Sequence, residues 1–107
     1  MNTILCEKYF ESLAKENPAK LISVLSTQKM SYGLLARGLK TLALCADHEL
    51  SINFLIPYLN HEQPMIQEGA LLGLQNHRNS SVIEAISKIT SNNEFIQEMI
   101  RDFLIEN

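Results

Sequence analysis

Apolar residues recur at the spacing of an α-helix along almost the whole chain, and this periodicity limits the possible folds more than any other feature. No alternation of apolar and polar residues typical of a β-strand continues beyond a few positions. The pattern therefore predicts an all-α fold built from seven short helices. The first apolar stripe is expected to consist of Leu5, Cys6, Tyr9, Phe10 and Leu13.

Polar residues that can cap helix N-termini divide the periodic stretches into helices joined by short turns. A capping side chain accepts a hydrogen bond from a backbone amide of the first helical turn. Ser81 and Glu84 have the spacing of a capping box, in which each side chain bonds the backbone amide of the other residue. The helix after Ser31 is expected to run to about Ala46, and Pro57 is expected to bend the helix that contains it. The predicted N-terminal signals are Asn17 with Pro18, Ser31, Asp47, Pro64 and Ser81.

The size and charge of the chain limit its domain count and its partners. It has 107 residues, of which 46% are hydrophobic. This is enough to bury one core but not two, so residues 1–107 are predicted to form a single domain. Nine Lys and Arg against twelve Asp and Glu leave a formal net charge of -3. Because nucleic-acid-binding domains need a basic surface to contact phosphates, this balance argues against a nucleic-acid partner.

The cysteines and the N-terminal sequence indicate the compartment. Cys6 and Cys45 stand apart in apolar surroundings without CxxC spacing, as expected for a reduced, cytoplasmic protein. The N-terminus lacks the basic stretch and long apolar run of a signal peptide. No apolar run approaches the roughly 18 residues of a transmembrane candidate, so we expect no membrane association.

Two blocks of the sequence repeat at a fixed distance. Leu21 corresponds to Leu55 and Ala36 to Ala70, both at an offset of 34 positions. A weaker third block follows after residue 80. Internal periods of this length are typical of helical repeat proteins, in which each unit buries its apolar face against its neighbours.

Residues 55–74 resemble a HEAT repeat. In that family a first helix carries a Leu-x-Pro-x-Leu core, a short turn ends in proline, and a second helix carries an apolar residue and then an alanine. Gln67 stands where the family has an arginine, and residues 60–62 stand where it has an aspartate. The positions that match are Pro57, Pro64, Ile66 and Ala70.

The HEAT resemblance implies a short α-solenoid of about three helical hairpins plus an N-terminal helix. It also implies a non-enzymatic protein-binding scaffold, in which the second helices of successive hairpins line a concave surface. The exposed residues expected on that surface are Gln67, Glu68, Gln75, Gln97 and Glu98.

The helix from Pro64 is apolar on more than one side, which is typical of a helix buried between neighbours. Gly69 and Gly73 lie four residues apart and therefore share one face of it. We interpret this face as a close approach of another helix. The alternative is that both glycines are merely tolerated, at a cost of about 1 kcal/mol each.

No catalytic or metal-binding motif is recognisable. None of His48, His61 and His77 lies three or four residues from another, so we interpret them as polar residues at helix ends and turns. Cys45 and His48 are three residues apart and could form a nucleophile–base pair. Because Cys45 lies in an apolar run, we interpret it as a core residue. We expect no catalytic site, no metal and no cofactor.

Negative charge is concentrated towards the C-terminus. Residues 1–53 carry a net charge of +1 and residues 54–107 a net charge of -4. Glu94, Glu98 and Asp102 are spaced by four, so they share one face of the last helix, where like charges oppose helix formation by a few tenths of a kcal/mol (about 0.2–0.5) per pair. This face is either a solvated outer surface or a docking stripe for a basic partner.

The absence of recognisable chemistry favours a non-enzymatic protein-binding module. In length and acidity the chain is similar to small bacterial immunity proteins, which neutralise basic nuclease toxins. The most concrete hypothesis is an immunity- or antitoxin-type inhibitor that occludes a basic toxin, such as a nuclease. The alternatives are a general HEAT-like adaptor or assembly chaperone and, from another class, an enzyme with an unrecognised site.

Overall fold

Helix-forming segments separated by polar caps produce an all-α protein, as predicted. The computed structural model describes residues 3–105, with side chains from residue 5 onward; Met1, Glu106 and the other terminal positions lie outside the described residues. Within them the chain forms seven α-helices and no β-strand. They are α1 (Thr3–Glu16), α2 (Pro18–Thr27), α3 (Tyr32–Thr41), α4 (His48–Leu55), α5 (Pro64–Leu74), α6 (Ser80–Ser87) and α7 (Glu94–Ile105).

Three of the predicted N-caps are confirmed. In each case a side-chain oxygen accepts a hydrogen bond from the amide three residues later, which satisfies a donor that has no partner within the helix. The distances are 3.3 Å from Lys20 N to Asn17, 3.1 Å from Leu34 N to Ser31 and 3.1 Å from Leu50 N to Asp47. Pro18 and Pro64 stand at the start of their helices, where the missing N–H is not needed.

The capping box predicted at Ser81 and Glu84 is wrong. Helix α6 begins two residues earlier than this capping box predicts, at Ser80, and Asn79 caps it by accepting a hydrogen bond of 2.8 Å from the amide of Val82. The Ser81 hydroxyl donates to the Asn79 side chain at 2.9 Å. Glu84 instead forms an ion pair with Lys88 one turn later, at 2.8 Å.

Two helices end earlier than predicted because the chain tightens into 3₁₀ geometry. Helix α3 stops at Thr41, and residues Leu42–Leu44 form a 3₁₀ turn, so the helix does not reach Ala46. Helix α4 stops at Leu55 and continues as the 3₁₀ helix Ile56–Asn60. Pro57 accounts for the second change, because it has no N–H to bond the carbonyl four residues earlier.

The stripe predicted on α1 is too wide. Cys6, Phe10 and Ala14 are buried, as expected for residues spaced by four on one face. Leu5 is 62% exposed and Tyr9 is also exposed, so neither belongs to the core.

Helix α5 lies at the centre of the core and contacts α3, α4 and α7. Its glycines allow α3 to approach closely, which confirms the packing interpretation. A methyl group at Gly69 would lie 2.6 Å from the carbonyl oxygen of Ala36 and 2.9 Å from its Cα. A methyl group at Gly73 would meet the carbonyl oxygen of Leu39.

The protein is a compact globule. The radius of gyration is 13.1 Å, close to the roughly 13 Å expected for about 100 residues. The longest helix, α1, has 14 residues, and none of the helices described is long and apolar enough to span a bilayer.

Candidate protein-binding surface

Helix α5 exposes one strip of its surface between α3 and α7. Met65, Glu68, Leu72 and Gln75 lie on this strip, spaced by three and four residues. Gly69 lies on the α3 side of the strip, and Leu71 lies on the α7 side. We call this strip, together with the outer residues of α3 and α7 on either side of it, the α5 face.

A groove between α5 and α7 brings two of the predicted site residues together. Its cavity of about 160 Å³ is lined by Gln75, the C-cap of α5, and by Asp102 from α7. The remaining lining is apolar and consists of Leu71, Met99 and Phe103. A polar rim over an apolar floor is the arrangement found at protein interfaces.

The acidic residues of α7 are all exposed, as predicted. Glu94, Glu98 and Asp102 form no hydrogen bond or ion pair with any residue in the range 3–105. The opposite face of the helix buries Ile96 and Phe103 in the core, so the acidic face points outward. Their negative charge is therefore fully available to a partner.

Gln67 is buried, so the prediction that it lies on an exposed binding surface is wrong. It was expected on the exposed surface, but it is only 5% exposed. Its side-chain amide donates a hydrogen bond of 3.0 Å to the carbonyl oxygen of Leu59. This bond satisfies a buried carbonyl at the end of the 3₁₀ helix Ile56–Asn60 and ties that helix to α5.

The other two predicted residues differ in their surroundings. Gln97 is exposed on α7, and its amide donates a 2.6 Å hydrogen bond to the carbonyl oxygen of Ser91. Glu68 is half-buried in a second groove of about 320 Å³ between α3 and α5. This α3/α5 groove also contains the exposed Arg37 and Lys40, so Glu68 does not extend the acidic face of α7.

The basic pair on α3 was not predicted as part of any site. Arg37 and Lys40 are three residues apart and lie on one face of the helix. Their spacing is visible in the sequence, but the sequence does not indicate that α5 lies beside these two residues. Like the acids of α7, neither side chain forms an ion pair with another described residue.

A contact between two histidines was also missed. Nδ1 of His48 lies 2.6 Å from Nδ1 of His77, and Nε2 of His77 lies 2.7 Å from the carbonyl oxygen of Leu42. Because a carbonyl can only accept, Nε2 of His77 carries the hydrogen. In the neutral ring Nδ1 of His77 is then an acceptor, and Nδ1–H of His48 donates to it. The two residues are 29 positions apart in the sequence, so no local motif reveals this pair.

The histidine pair borders a cleft of about 430 Å³, and several polar side chains that line it are hydrogen-bonded to the protein itself. Asn76 donates to the carbonyl oxygen of Ala43 at 3.0 Å. Arg78 donates to the carbonyl oxygen of Phe103 at 2.8 and 2.7 Å, and its guanidinium lies 3.8 Å from the centre of the Phe103 ring. These bonds fasten residues 76–79 between the 3₁₀ turn Leu42–Leu44 and α7.

The remaining candidates for chemistry lie apart. Cys45 is buried, and its thiol donates to the carbonyl oxygen of Asp47 at 3.5 Å. His61 accepts a hydrogen bond from the amide of Gln63 at 3.0 Å. Among residues 3–105, no three His, Cys, Asp or Glu side chains are placed to hold a metal ion.

One carboxyl group has a perturbed acidity. The ammonium group of Lys88 lowers the pKa of Glu84 below its ordinary value of 4.5, first through their hydrogen bond and then through charge attraction. The pair is exposed on α6, so it is a surface ion pair of small energetic weight.

Comparison with known proteins returned no match: no family model, curated protein or solved structure is significantly similar to the chain.

Proposed function

We propose that the chain is a non-enzymatic protein-binding module that uses the acidic face of α7 and the adjoining α5/α7 groove. The observation that carries the proposal is the exposure of Glu94, Glu98 and Asp102, which have no partners in the described chain. Asp102 also lines the largely apolar α5/α7 groove. In its most concrete form the module is an immunity- or antitoxin-type inhibitor. It occludes a basic surface of a toxin, such as the cleft of a nuclease.

The series of helices that contact one another supports a HEAT-like stack as the architecture of this module. Helix α1 contacts α3, α3 contacts α5, and α5 contacts α7, so the second helix of each proposed hairpin lies next to that of its neighbours. In this proposal α3, α5 and α7 belong to three successive hairpins. Their outer residues then form the binding surface, which is the α5 face.

The physical mechanism is charge complementarity followed by steric occlusion. Three like charges one turn apart cost helix stability, and contact with a basic partner would offset this cost. Facing a basic surface, they raise the association rate and select the partner. Against a nuclease the carboxylates stand where the phosphates of the nucleic acid would lie.

The test begins with a partner captured from cells, identified by mass spectrometry and purified. Its affinity for the wild-type chain is then compared with its affinity for a variant in which Glu94, Glu98 and Asp102 are all changed to Lys. We expect the triple change to weaken binding at least a hundredfold, while circular dichroism shows unchanged helicity. Equal affinity of the two proteins would refute the acidic contact.

A matched control separates the acidic face from total charge. Glu16, Glu49 and Glu62 are exposed and lie outside the α5 face, and changing all three to Lys alters the net charge equally. This control is expected to keep most of the affinity. Loss of binding in both variants would indicate a long-range charge effect without a defined contact.

A second candidate is an adaptor or assembly chaperone that binds through apolar contacts. The exposed side chains of α7 favour it, because Phe95 is 56% and Ile105 is 72% exposed. Salt distinguishes the two, since screening weakens charged contacts and leaves apolar contacts in place. An association rate that falls steeply between low and high ionic strength supports the inhibitor. A rate that stays constant supports the adaptor.

A further inference from the structure

The α5 face carries opposite charges on its two sides. Arg37 and Lys40 line the groove on the α3 side, and Asp102 lines the groove on the α7 side. Glu98 lies one turn before Asp102 on the exposed face of α7. None of the four forms an ion pair within residues 3–105. Between these charges lie the apolar Met65, Leu72 and Met99 and the polar Glu68 and Gln75. Glu68 shares the α3/α5 groove with Arg37 and Lys40, so the two cations leave that side with a net positive charge.

The two charged sides are separated by the width of α5. Adjacent packed helices lie about 8–10 Å apart, so α3 and α7 are separated by roughly twice that distance. This exceeds the Debye length of about 8 Å at physiological ionic strength, so the two sides act as separate patches. A partner that satisfies both must itself carry an acidic and a basic patch at this spacing.

A second copy of the chain is such a partner. The second copy is placed face to face on the first by a two-fold rotation about an axis that lies in the contact plane and is parallel to α5. This rotation exchanges the two sides of the face. Helix α7 of each copy then faces α3 of the other. The contact is isologous, so it closes as a dimer and does not continue as a filament.

We propose that the α5 face is a self-association surface, on which two copies pair around a two-fold axis parallel to α5. Arg37 and Lys40 of each copy meet Glu98 and Asp102 of the other. The apolar residues of the strip pack against each other near the axis. The proposal does not depend on the proposed function, because it concerns the isolated chain.

The size of the face sets the expected strength. Helix α5 has 11 residues and is therefore about 16 Å long, at roughly 1.5 Å per residue. Three helices of this length side by side give a contact at the small end of specific interfaces, below about 1,200 Å² in total. We therefore expect a dissociation constant in the micromolar to millimolar range. Dimers are expected at high concentration and monomers on dilution.

Charge reversal on one side of the face tests the pairing. Sedimentation velocity over a concentration series is measured for the wild type, for Arg37→Glu with Lys40→Glu, and for Glu98→Lys with Asp102→Lys. Each variant places like charges opposite each other twice, so each is expected to stay monomeric. Lys20→Glu with Lys29→Glu is the matched control. Lys20 is exposed on α2, and Lys29 is exposed in the turn that follows it. This control is expected to dimerise like the wild type.

Combining the two reversals gives the decisive result. An equimolar mixture of the two charge variants has opposite charges at both contacts and is expected to form a heterodimer. A single chain with all four changes is expected to dimerise again. A wild type that stays monomeric at millimolar concentration, or a mixture that fails to associate when the wild type does, overturns the proposal.

The two proposals fail separately. Dimerisation and partner binding use the same acids of α7, so a partner that binds there is expected to dissociate the dimer. A monomeric chain that still binds a basic partner refutes only the self-association. A dimer that binds no partner refutes only the inhibitor function.

Discussion

At the scale of single residues, the close approach of two helices depends on the absence of a side chain. Gly69 and Gly73 share one face of α5, and the sequence was sufficient to predict that a helix packs there. It could not identify the helix, because Ala36 and Leu39 of α3 are brought opposite the glycines only by the tertiary fold. A spacing rule describes one helix and contains no information about its neighbour.

Replacing Gly69 with Ala is expected to destabilise the protein by about 1–2 kcal/mol. Alanine gains about 1 kcal/mol of helix propensity, but overpacking against a neighbour costs about 1–3 kcal/mol. Here the cost is at the upper end, because the added methyl group would meet the backbone of Ala36, which cannot turn aside. Urea denaturation, monitored by circular dichroism, measures the difference in the free energy of unfolding.

Gly33→Ala is the control for this prediction. A methyl group there would lie 3.7 Å from Sδ of Met65, which is an ordinary contact. The variant is expected to be neutral or more stable by up to about 1 kcal/mol, because alanine restricts the unfolded chain. Equal effects at the two positions would contradict the packing argument.

Gln67 shows why polarity alone is a poor guide to exposure. Its type and its place on the second helix of the repeat-like segment favoured a surface position. The chain instead uses its amide to satisfy the carbonyl of Leu59, which lies near α5 at the end of the 3₁₀ helix Ile56–Asn60. A buried carbonyl without a partner costs about 1–3 kcal/mol of stability. Burying the Gln67 side-chain amide, hydrogen-bonded to this carbonyl, costs less. This need arises from tertiary structure and has no local sequence signal.

At the scale of helices and turns, the sequence was most informative where a single side chain decides a boundary. Asn17, Ser31 and Asp47 act as predicted because a cap needs only a short polar side chain and the next three amides. The prediction failed at α6, where Asn79, Ser80 and Ser81 are all able to cap. Local chemistry does not decide which of these adjacent residues caps the helix. The hydrogen bond from Arg78 to the carbonyl oxygen of Phe103 helps to hold the preceding loop in place.

Exchanging caps at α6 tests this assignment. Asn79→Ala is expected to lower the free energy of unfolding by about 1 kcal/mol, because the amide of Val82 loses its acceptor. Ser81→Ala is expected to cost less than about 0.5 kcal/mol, as for an ordinary exposed site. Thermal and urea unfolding of both variants give the comparison. A larger loss at Ser81 than at Asn79 would restore the capping box.

At the scale of the whole molecule, the all-α class followed from periodicity, whereas the arrangement of the surface did not. The acidic face of α7 could be predicted because its three residues lie on one helix. The basic pair on α3 could be seen in the sequence but not placed, because only the tertiary fold packs α5 against both α3 and α7. Likewise, the contact between His48 and His77 joins two segments 29 positions apart. Features confined to one element are accessible from sequence, and features shared by several elements are not.

Hydrogen exchange of backbone amides tests whether the helices behave as a HEAT-like stack. In a linear stack each unit contacts only its neighbours, so terminal units open without unfolding the centre. Helices α3 and α5 each contact a helix on both sides in the series α1, α3, α5 and α7, so we expect the slowest exchange there. We expect faster exchange in α7, which ends the series.

The variant Phe103→Ala sharpens this test. It removes a buried ring of α7 that also lies against Arg78, at an expected cost of about 3–5 kcal/mol. In a stack the loss of protection is confined to α6 and α7 and does not reach α1 and α2. In a single cooperative globule every amide loses protection by the same free energy. Exchange followed by nuclear magnetic resonance, under conditions where opening is in equilibrium, separates the two outcomes, and uniform loss would exclude the stack.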